Sequence, residues 1–110
     1  MEISERAENG VTVFALEGRI DTQGAVDLDL ALQAAVAEGK HKMVLDMAEV
    51  RYICSAGLRT LADVFTQNRE QGGDLKLVAL NPKVMRVFRI IGFDRFFSIY
   101  DSFEAARADF

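Results

Sequence analysis

The hydrophobic period of this chain changes within one stretch, between Met43 and Phe65. Residues 43–47 read Met-Val-Leu-Asp-Met, an apolar run too short for a helix, which predicts a strand. Further on, apolar residues recur with the spacing of a helix face, at Leu58, Leu61, Ala62 and Phe65. The connection between the two patterns ends with Cys54-Ser55-Ala56-Gly57. The stretch therefore predicts a strand followed at once by an amphipathic helix, which is the building unit of α/β folds.

The same alternation runs through the rest of the chain. Asn9-Gly10 predicts a tight hairpin turn between two N-terminal strands, and Gly39 and Gly72-Gly73 mark the ends of two helices. Asn81-Pro82 predicts the start of a third helix. The predicted order is β-β-α-β-α-β-α-β-α, with strands at 2–7, 11–17, 43–47, 75–80 and 97–100. This order indicates a single α/β domain over residues 1–110, with a mostly parallel mixed sheet of about five strands, an N-terminal β-hairpin and about four helices.

Ser55 is the residue of greatest interest, because it falls between the predicted strand and helix. We expect it to be the N-cap, with its hydroxyl oxygen accepting a hydrogen bond from the first helical turn. A phosphate on this hydroxyl would add nearly two negative charges at the positive end of the helix dipole. For a strand–serine–helix junction in general, helix capping alone is the usual explanation of the serine.

The chain resembles the STAS domain as found in bacterial anti-sigma factor antagonists. The resemblance rests on the string V-L-D-M-x-x-V-x-Y-I-C-S-A-G-L over residues 44–58, and on Gly18-Arg19-Ile20-Asp21, which is similar to the family's G-x-Φ-D element, where Φ is a large apolar residue. Gly57 and Leu58 match the family pattern. Cys54 departs from it, since many members have aspartate at that position.

The resemblance implies the STAS fold and a regulatory, protein-binding function. The sequence itself predicts a cytoplasmic, soluble protein, because it has neither a recognisable signal peptide nor a stretch long enough to span a bilayer. By the resemblance, Ser55 would be phosphorylated by a partner that is both a serine kinase and an anti-sigma factor, and a serine phosphatase would reverse the modification. The resemblance further implies a partner-binding surface at Asp21, Cys54, Ser55, Ala56, Gly57 and Leu58. The alternative is an accessory subunit of a membrane lipid-transport ATPase complex, in which Ser55 would only cap a helix.

The composition and charge of the chain argue against several classes of protein. The net charge is −4, and no basic cluster exceeds a pair, which argues against a nucleic-acid surface. Lys83, Arg86 and Arg89 are spaced along one flank of a predicted helix and are interpreted as a solvated face. A single cysteine excludes an internal disulfide, and no apolar stretch suggests a signal peptide or membrane insertion.

The sequence predicts no catalytic site, cofactor or metal centre. It has one histidine, His41, and one cysteine, Cys54, without metal-ligand spacing, and Ile53 stands where a hydrolase G-x-S-x-G motif needs glycine. A Cys54–His41 pair remains open on spacing alone. Asp46 is interpreted as a structural residue. Phe93, Phe96 and Phe97 are interpreted as core residues, with a hydrophobic contact patch as the alternative.

Overall fold

The computed structural model describes all residues from Met1 to Phe110. Five strands and five helices follow one another in the order β1 (Glu2–Glu8), β2 (Val11–Ile20), α1 (Thr22–Ala37), β3 (Lys42–Ile53), α2 (Ser55–Glu70), β4 (Asp74–Val78), α3 (Pro82–Ile90), α4 (Phe93–Phe96), β5 (Ile99–Tyr100) and α5 (Phe103–Ala108). The predicted fold class and element order are confirmed. The one addition is α4, a single turn between α3 and β5.

The strands form one sheet in the order β1-β2-β3-β4-β5. β1 pairs antiparallel with β2, and the other neighbours pair in parallel. The hairpin between β1 and β2 turns at Asn9 and Gly10, with φ angles of 52° and 80°. Both angles are positive, as the predicted tight turn requires. β1 therefore forms one edge of the sheet, and the two-residue β5 forms the other.

The two faces of the sheet are covered unequally. The first face carries the main core, where strand residues such as Phe14 and Leu45 pack with Leu28 of α1, Leu61 of α2 and Phe88 of α3. The second face has a smaller cluster comprising Val11, Val13, Val44, Val78 and Ala106. Ala106 lies in α5, so this short helix covers the second face only near that cluster.

α5 is attached to the second face by polar as well as apolar contacts. The buried Lys76 ammonium lies 4.2 Å from the centre of the Phe110 ring and 3.5 Å from the Ala106 carbonyl oxygen. The Tyr100 hydroxyl donates a hydrogen bond to Asp109 Oδ2 at 2.7 Å. The pKa of Tyr100 is raised, mainly by that hydrogen bond and secondly by burial of the side chain. The C-terminal residues are therefore held in place by interactions with β4 and β5.

β1 is tied to the end of α1 by an ion pair. Lys40 Nζ lies 3.0 Å from Glu5 Oε2 and 3.1 Å from Glu38 Oε1. The hydrogen bond to Glu5, followed by that to Glu38, raises the pKa of the Lys40 ammonium. This pair is exposed to solvent, so we expect it to contribute little to stability.

The structure differs from the sequence-based prediction at several places. β2 continues to Ile20 rather than ending at residue 17, β4 ends at Val78 rather than at residue 80, and β5 begins at Ile99 rather than at residue 97. β3 extends to Ile53, because residues 48–53, predicted as a connection, continue the ladder with β2. Of the three phenylalanines predicted to be core, Phe97 is buried and Phe93 is half-buried, but Phe96 is 44% exposed while contacting Phe65.

Candidate functional site

The candidate site lies where β2 and β3 end side by side. Ile20 and Ile53 are partners in the parallel ladder, and the Cys54 amide donates a hydrogen bond to the Ile20 carbonyl oxygen at 2.8 Å. Asp21 and Cys54 follow these partners and are the N-cap residues of α1 and α2. The first turns of the two helices therefore start next to each other. We call Asp21, Cys54 and Ser55 together the Ser55 edge.

Asp21 is both a cap and an exposed charge. Its Oδ1 accepts a hydrogen bond from the Gly24 amide at 2.9 Å, which satisfies one free donor of the first turn of α1. Asp21 is therefore the N-cap of α1, and Thr22 is the first residue of the helix. Asp21 is exposed to solvent. A carboxylate that caps a helix from the surface is available to a partner without any rearrangement of the fold.

Ser55 is not the N-cap of α2, contrary to the sequence-based expectation. The strand continues through Ile53, so Cys54 takes the extended cap conformation and Ser55 becomes the first helical residue. Cys54 makes no side-chain hydrogen bond to the first turn. α2 therefore begins with unsatisfied backbone N–H groups. The Ser55 side chain is exposed, so its hydroxyl is accessible to another protein.

Gly57 and Leu58 fix the position of the first turn of α2. Gly57 is buried, and a Cβ atom placed on it would lie 2.6 Å from Ile20 Cγ2 and 2.9 Å from Ile53 Cγ1. Glycine is therefore required for α2 to approach the strand ends this closely. Leu58 is half-buried and packs against the main core. Gly57 and Leu58 therefore position Ser55. The Leu58 side chain is also partly exposed beside it.

Ala56 lies on the other side of the first turn, facing α1. It is exposed and lines a hollow of about 390 Å³ between α1 and α2. Val26 and Leu30 of α1, 50% and 67% exposed, lie along the same hollow. The hollow thus continues from the Ser55 edge along the helix pair.

Other candidate residues lie away from the Ser55 edge. Asp46 lies in the middle of β3, and its Oδ1 accepts a hydrogen bond from the Ala48 amide at 3.1 Å. His41 precedes β3 and is half-buried, with Nδ1 at 3.3 Å from Asn68 Oδ1. Cys54 follows the opposite end of the same twelve-residue strand, so a Cys54–His41 catalytic pair does not form. No group of three or more potential metal ligands is present.

One pair beside this site, Arg19 and Tyr52, was not predicted from the sequence. These residues are cross-strand partners, and the guanidinium carbon of Arg19 lies 4.3 Å from the centre of the Tyr52 ring. The ladder between β2 and β3 contains a register shift between Gly18 and Arg19. The pairing depends on this irregularity, which residue patterns alone do not reveal.

Comparison with known proteins identifies similar chains along nearly the whole length. The profile of the STAS domain matches residues 2–106. BtrV of Bordetella bronchiseptica, proposed to be an anti-sigma factor antagonist, is 37% identical over 110 residues, which cover 100% of this chain and 95% of BtrV.

Two solved structures show the same fold. The crystal structure of an anti-sigma factor antagonist from Mycobacterium paratuberculosis has a TM-score of 0.89 at 28% identity, covering 98% of this chain and 92% of that one. A protein from Thermotoga maritima, proposed to be an anti-sigma factor antagonist, has a TM-score of 0.93 at 22% identity, covering 97% and 92%. The second likeness concerns the fold alone. Separately, none of the helices has the length and apolar content needed to cross a bilayer.

Proposed function

Since this chain belongs to the STAS domain family, we propose that it is an anti-sigma factor antagonist, a regulatory module that binds an anti-sigma factor in the cytoplasm and has no catalytic activity of its own. The names of BtrV and of the Mycobacterium paratuberculosis protein support this proposal, because both are related to this chain over nearly its full length. Binding would release the sigma factor that the anti-sigma factor otherwise holds.

The observation that carries the proposal is the exposed Ser55 at the first turn of α2, beside the exposed carboxylate of Asp21. The unmodified surface would dock through Asp21, Cys54, Ser55, Ala56, Gly57 and Leu58. Within it, Ala56 and the exposed part of Leu58 offer apolar contact, and Asp21 offers a charge. Gly57 contributes by letting α2 lie close to the strands.

Phosphorylation of Ser55 would break this complex. The partner is proposed to be a serine kinase as well as an anti-sigma factor, and a phosphatase would restore the binding form. A phosphate would bring nearly two negative charges to a surface that already has Asp21. In a desolvated interface, like charges cost several kcal/mol. A penalty of about 2 kcal/mol corresponds to an affinity loss of about thirtyfold.

The position of Ser55 at the start of α2 favours retention of the fold after phosphorylation. Ser55 lies at the positive end of the α2 dipole, and the first turn has donors without a side-chain cap. A phosphate there is favoured by the helix, so the change in charge would act on the partner rather than on the stability of this chain.

A binding experiment with purified proteins tests the proposal. Each anti-sigma factor with a kinase-type ATPase domain in the source genome would be titrated with wild type, Ser55→Ala and Ser55→Asp. Thr66→Asp is the matched control, because Thr66 is an exposed residue near the other end of α2. We expect wild type, Ser55→Ala and Thr66→Asp to bind one of these proteins, and Ser55→Asp to bind it at least about tenfold more weakly.

Phosphorylation itself is tested in the same system. Incubation with the bound kinase and ATP should add one phosphate to wild type and none to Ser55→Ala, as measured by mass spectrometry. Equal binding of Ser55→Ala and Ser55→Asp would contradict the switch. Exclusive binding to subunits of a transport ATPase, with no affinity for any anti-sigma factor, would instead support the role of an accessory subunit.

A further inference from the structure

Three arginines of this chain lie over aromatic rings, and one of them differs from the other two. Arg6 lies over Phe103 at 5.4 Å, Arg69 over Phe65 at 5.7 Å, and Arg19 over Tyr52 at 4.3 Å, so the closest of these contacts is that of Arg19. Arg6 Nε is also 3.0 Å from Glu8 Oε2, and Arg69 Nη1 is 3.6 Å from Asp74 Oδ2. No carboxylate of this chain lies within ion-pair distance of Arg19.

The free hydrogen-bonding capacity of Arg19 follows from this geometry. Stacking on a ring uses the flat face of a guanidinium, whereas its N–H groups point outward in the plane. The in-plane N–H groups of Arg6 and Arg69 are partly used by their own carboxylates. Those of Arg19 can donate two parallel hydrogen bonds to a carboxylate from outside the chain.

Arg19 and Tyr52 also lie beside the Ser55 edge. They are partners one step before Ile20 and Ile53 in the ladder, and two residues before Asp21 and Cys54. Ile20 and Ile53 belong to the main core on the first face of the sheet, so alternation directs Arg19 and Tyr52 to the second face. Arg19 and Tyr52 are both exposed. α5, the helix on this face, packs on the cluster around Val11 and Val13 at the other end of β2.

We propose that Arg19, held flat by Tyr52, is a partner-selecting contact that binds a carboxylate side chain of the anti-sigma factor. The inference rests on the proposed function and names the chemistry that the partner presents beside the serine. Arginine and tyrosine are enriched among the residues that dominate binding energy in interfaces. Because the stack already fixes the guanidinium, less side-chain entropy is lost when the carboxylate binds.

Substitutions that separate charge from stacking test the proposal. Dissociation constants would be measured by calorimetry for the anti-sigma factor kinase that binds wild type best among those encoded in the source genome, at low and at moderate salt. The variants are Arg19→Ala, Arg19→Lys, Arg19→Glu, Tyr52→Ala and Tyr52→Phe. Arg6→Ala is the matched control, because it removes the same charge and an aromatic contact from β1. Thermal unfolding would confirm that each variant is folded.

The expected results follow the geometry of a stacked, bidentate guanidinium. Arg19→Ala should weaken binding about tenfold, and Arg19→Glu more strongly, because it places like charges together. Arg19→Lys should be intermediate, since an ammonium keeps the charge but not the planar pair of donors. Tyr52→Ala should weaken binding and Tyr52→Phe should not. Wild type should lose more affinity with added salt than Arg19→Ala does.

Two results would overturn the proposal while leaving the function intact. One is binding of Arg19→Ala within twofold of wild type; the other is an equal loss for Arg6→Ala, which would indicate a general charge effect. If wild type itself binds none of the anti-sigma factors, the proposed function fails and this contact fails with it. These outcomes are distinguishable, because wild type binds an anti-sigma factor in the first two and binds none in the third.

Discussion

The amide of Cys54 and the carbonyl oxygen of Ile20 are joined by a hydrogen bond of 2.8 Å. This bond ties the end of β3 to the end of β2 at the point where both helices start. It therefore sets the relative position of Asp21 and Ser55, which lie one residue beyond the bonded groups. Neither side chain takes part in the bond, so both can be substituted without breaking it.

Cys54→Asp should stabilise the protein. Cys54 occupies the N-cap of α2 without a side-chain hydrogen bond, and aspartate there can accept one from the first turn. A good N-cap is worth about 1 kcal/mol relative to a residue that cannot cap. Urea unfolding of Cys54→Asp, with Cys54→Ala as the control, would measure the gain. A Cys54→Asp protein no more stable than Cys54→Ala would show that α2 needs no cap.

Asp21→Asn should reduce the effect of a negative charge at Ser55. Asparagine can still accept the hydrogen bond from the Gly24 amide, so the α1 cap is kept while the charge is removed. Partner affinity would be measured for Ser55→Asp, Asp21→Asn and the double variant, together with wild type. We expect Ser55→Asp to cost less affinity in the Asp21→Asn background. Additive losses would mean that Asp21 and the new charge act independently.

Gly57→Ala should destabilise the fold and displace the first turn of α2. The added methyl group would lie 2.6 Å from Ile20 Cγ2, so the helix or the strand ends must shift. Overpacking of this kind costs about 1–3 kcal/mol. Thermal unfolding measures the loss, and Ser55→Ala, an exposed change in the same turn, serves as the control. Unchanged stability would indicate that α2 can move away from the strands freely.

Tyr100 should make stability fall at alkaline pH. Its pKa is raised above the ordinary value of 10.0, mainly by the hydrogen bond to Asp109. A group with a raised pKa in the folded state contributes its full stabilisation below its unfolded pKa, and the contribution is lost as the pH rises through the folded pKa. The free energy of unfolding would be measured from about pH 9 to about pH 11. The free energy of unfolding of Tyr100→Phe should decline less over this range. An identical decline in both proteins would show that Tyr100 is not its cause.

The element order was predictable because each helix and strand carries its own periodicity and its own end signals. Asn81, for example, accepts a hydrogen bond from the Val84 amide, as the predicted start of a helix at Asn81-Pro82 implies. The position of Ser55 was wrong by one residue for a physical reason. Residues 48–53 have only Val50 and Ile53 buried, so they lack strict strand alternation, and the ladder with β2 extends the strand.

The stack of Arg19 on Tyr52 lay beyond sequence-based prediction for a different reason. The two residues are far apart in the chain and meet only through a register that shifts between Gly18 and Arg19. Sequence patterns specify which residues are buried, but they do not place irregularities of this kind in a ladder. By contrast, the resemblance groups Asp21 with Ser55, and the structure brings these two residues together where β2 and β3 end side by side.

β1 leaves one side of its backbone without a partner strand, and its exposed side chains include Glu2, Glu5, Arg6 and Glu8. Charged side chains on an open edge discourage pairing between copies of a chain. This would matter for the proposed function, because a regulator that acts by binding its partner must accumulate to at least the partner's concentration. The acidic edge of β1 would let the cell raise the concentration of this protein, and with it the strength of the signal, without aggregation of the protein.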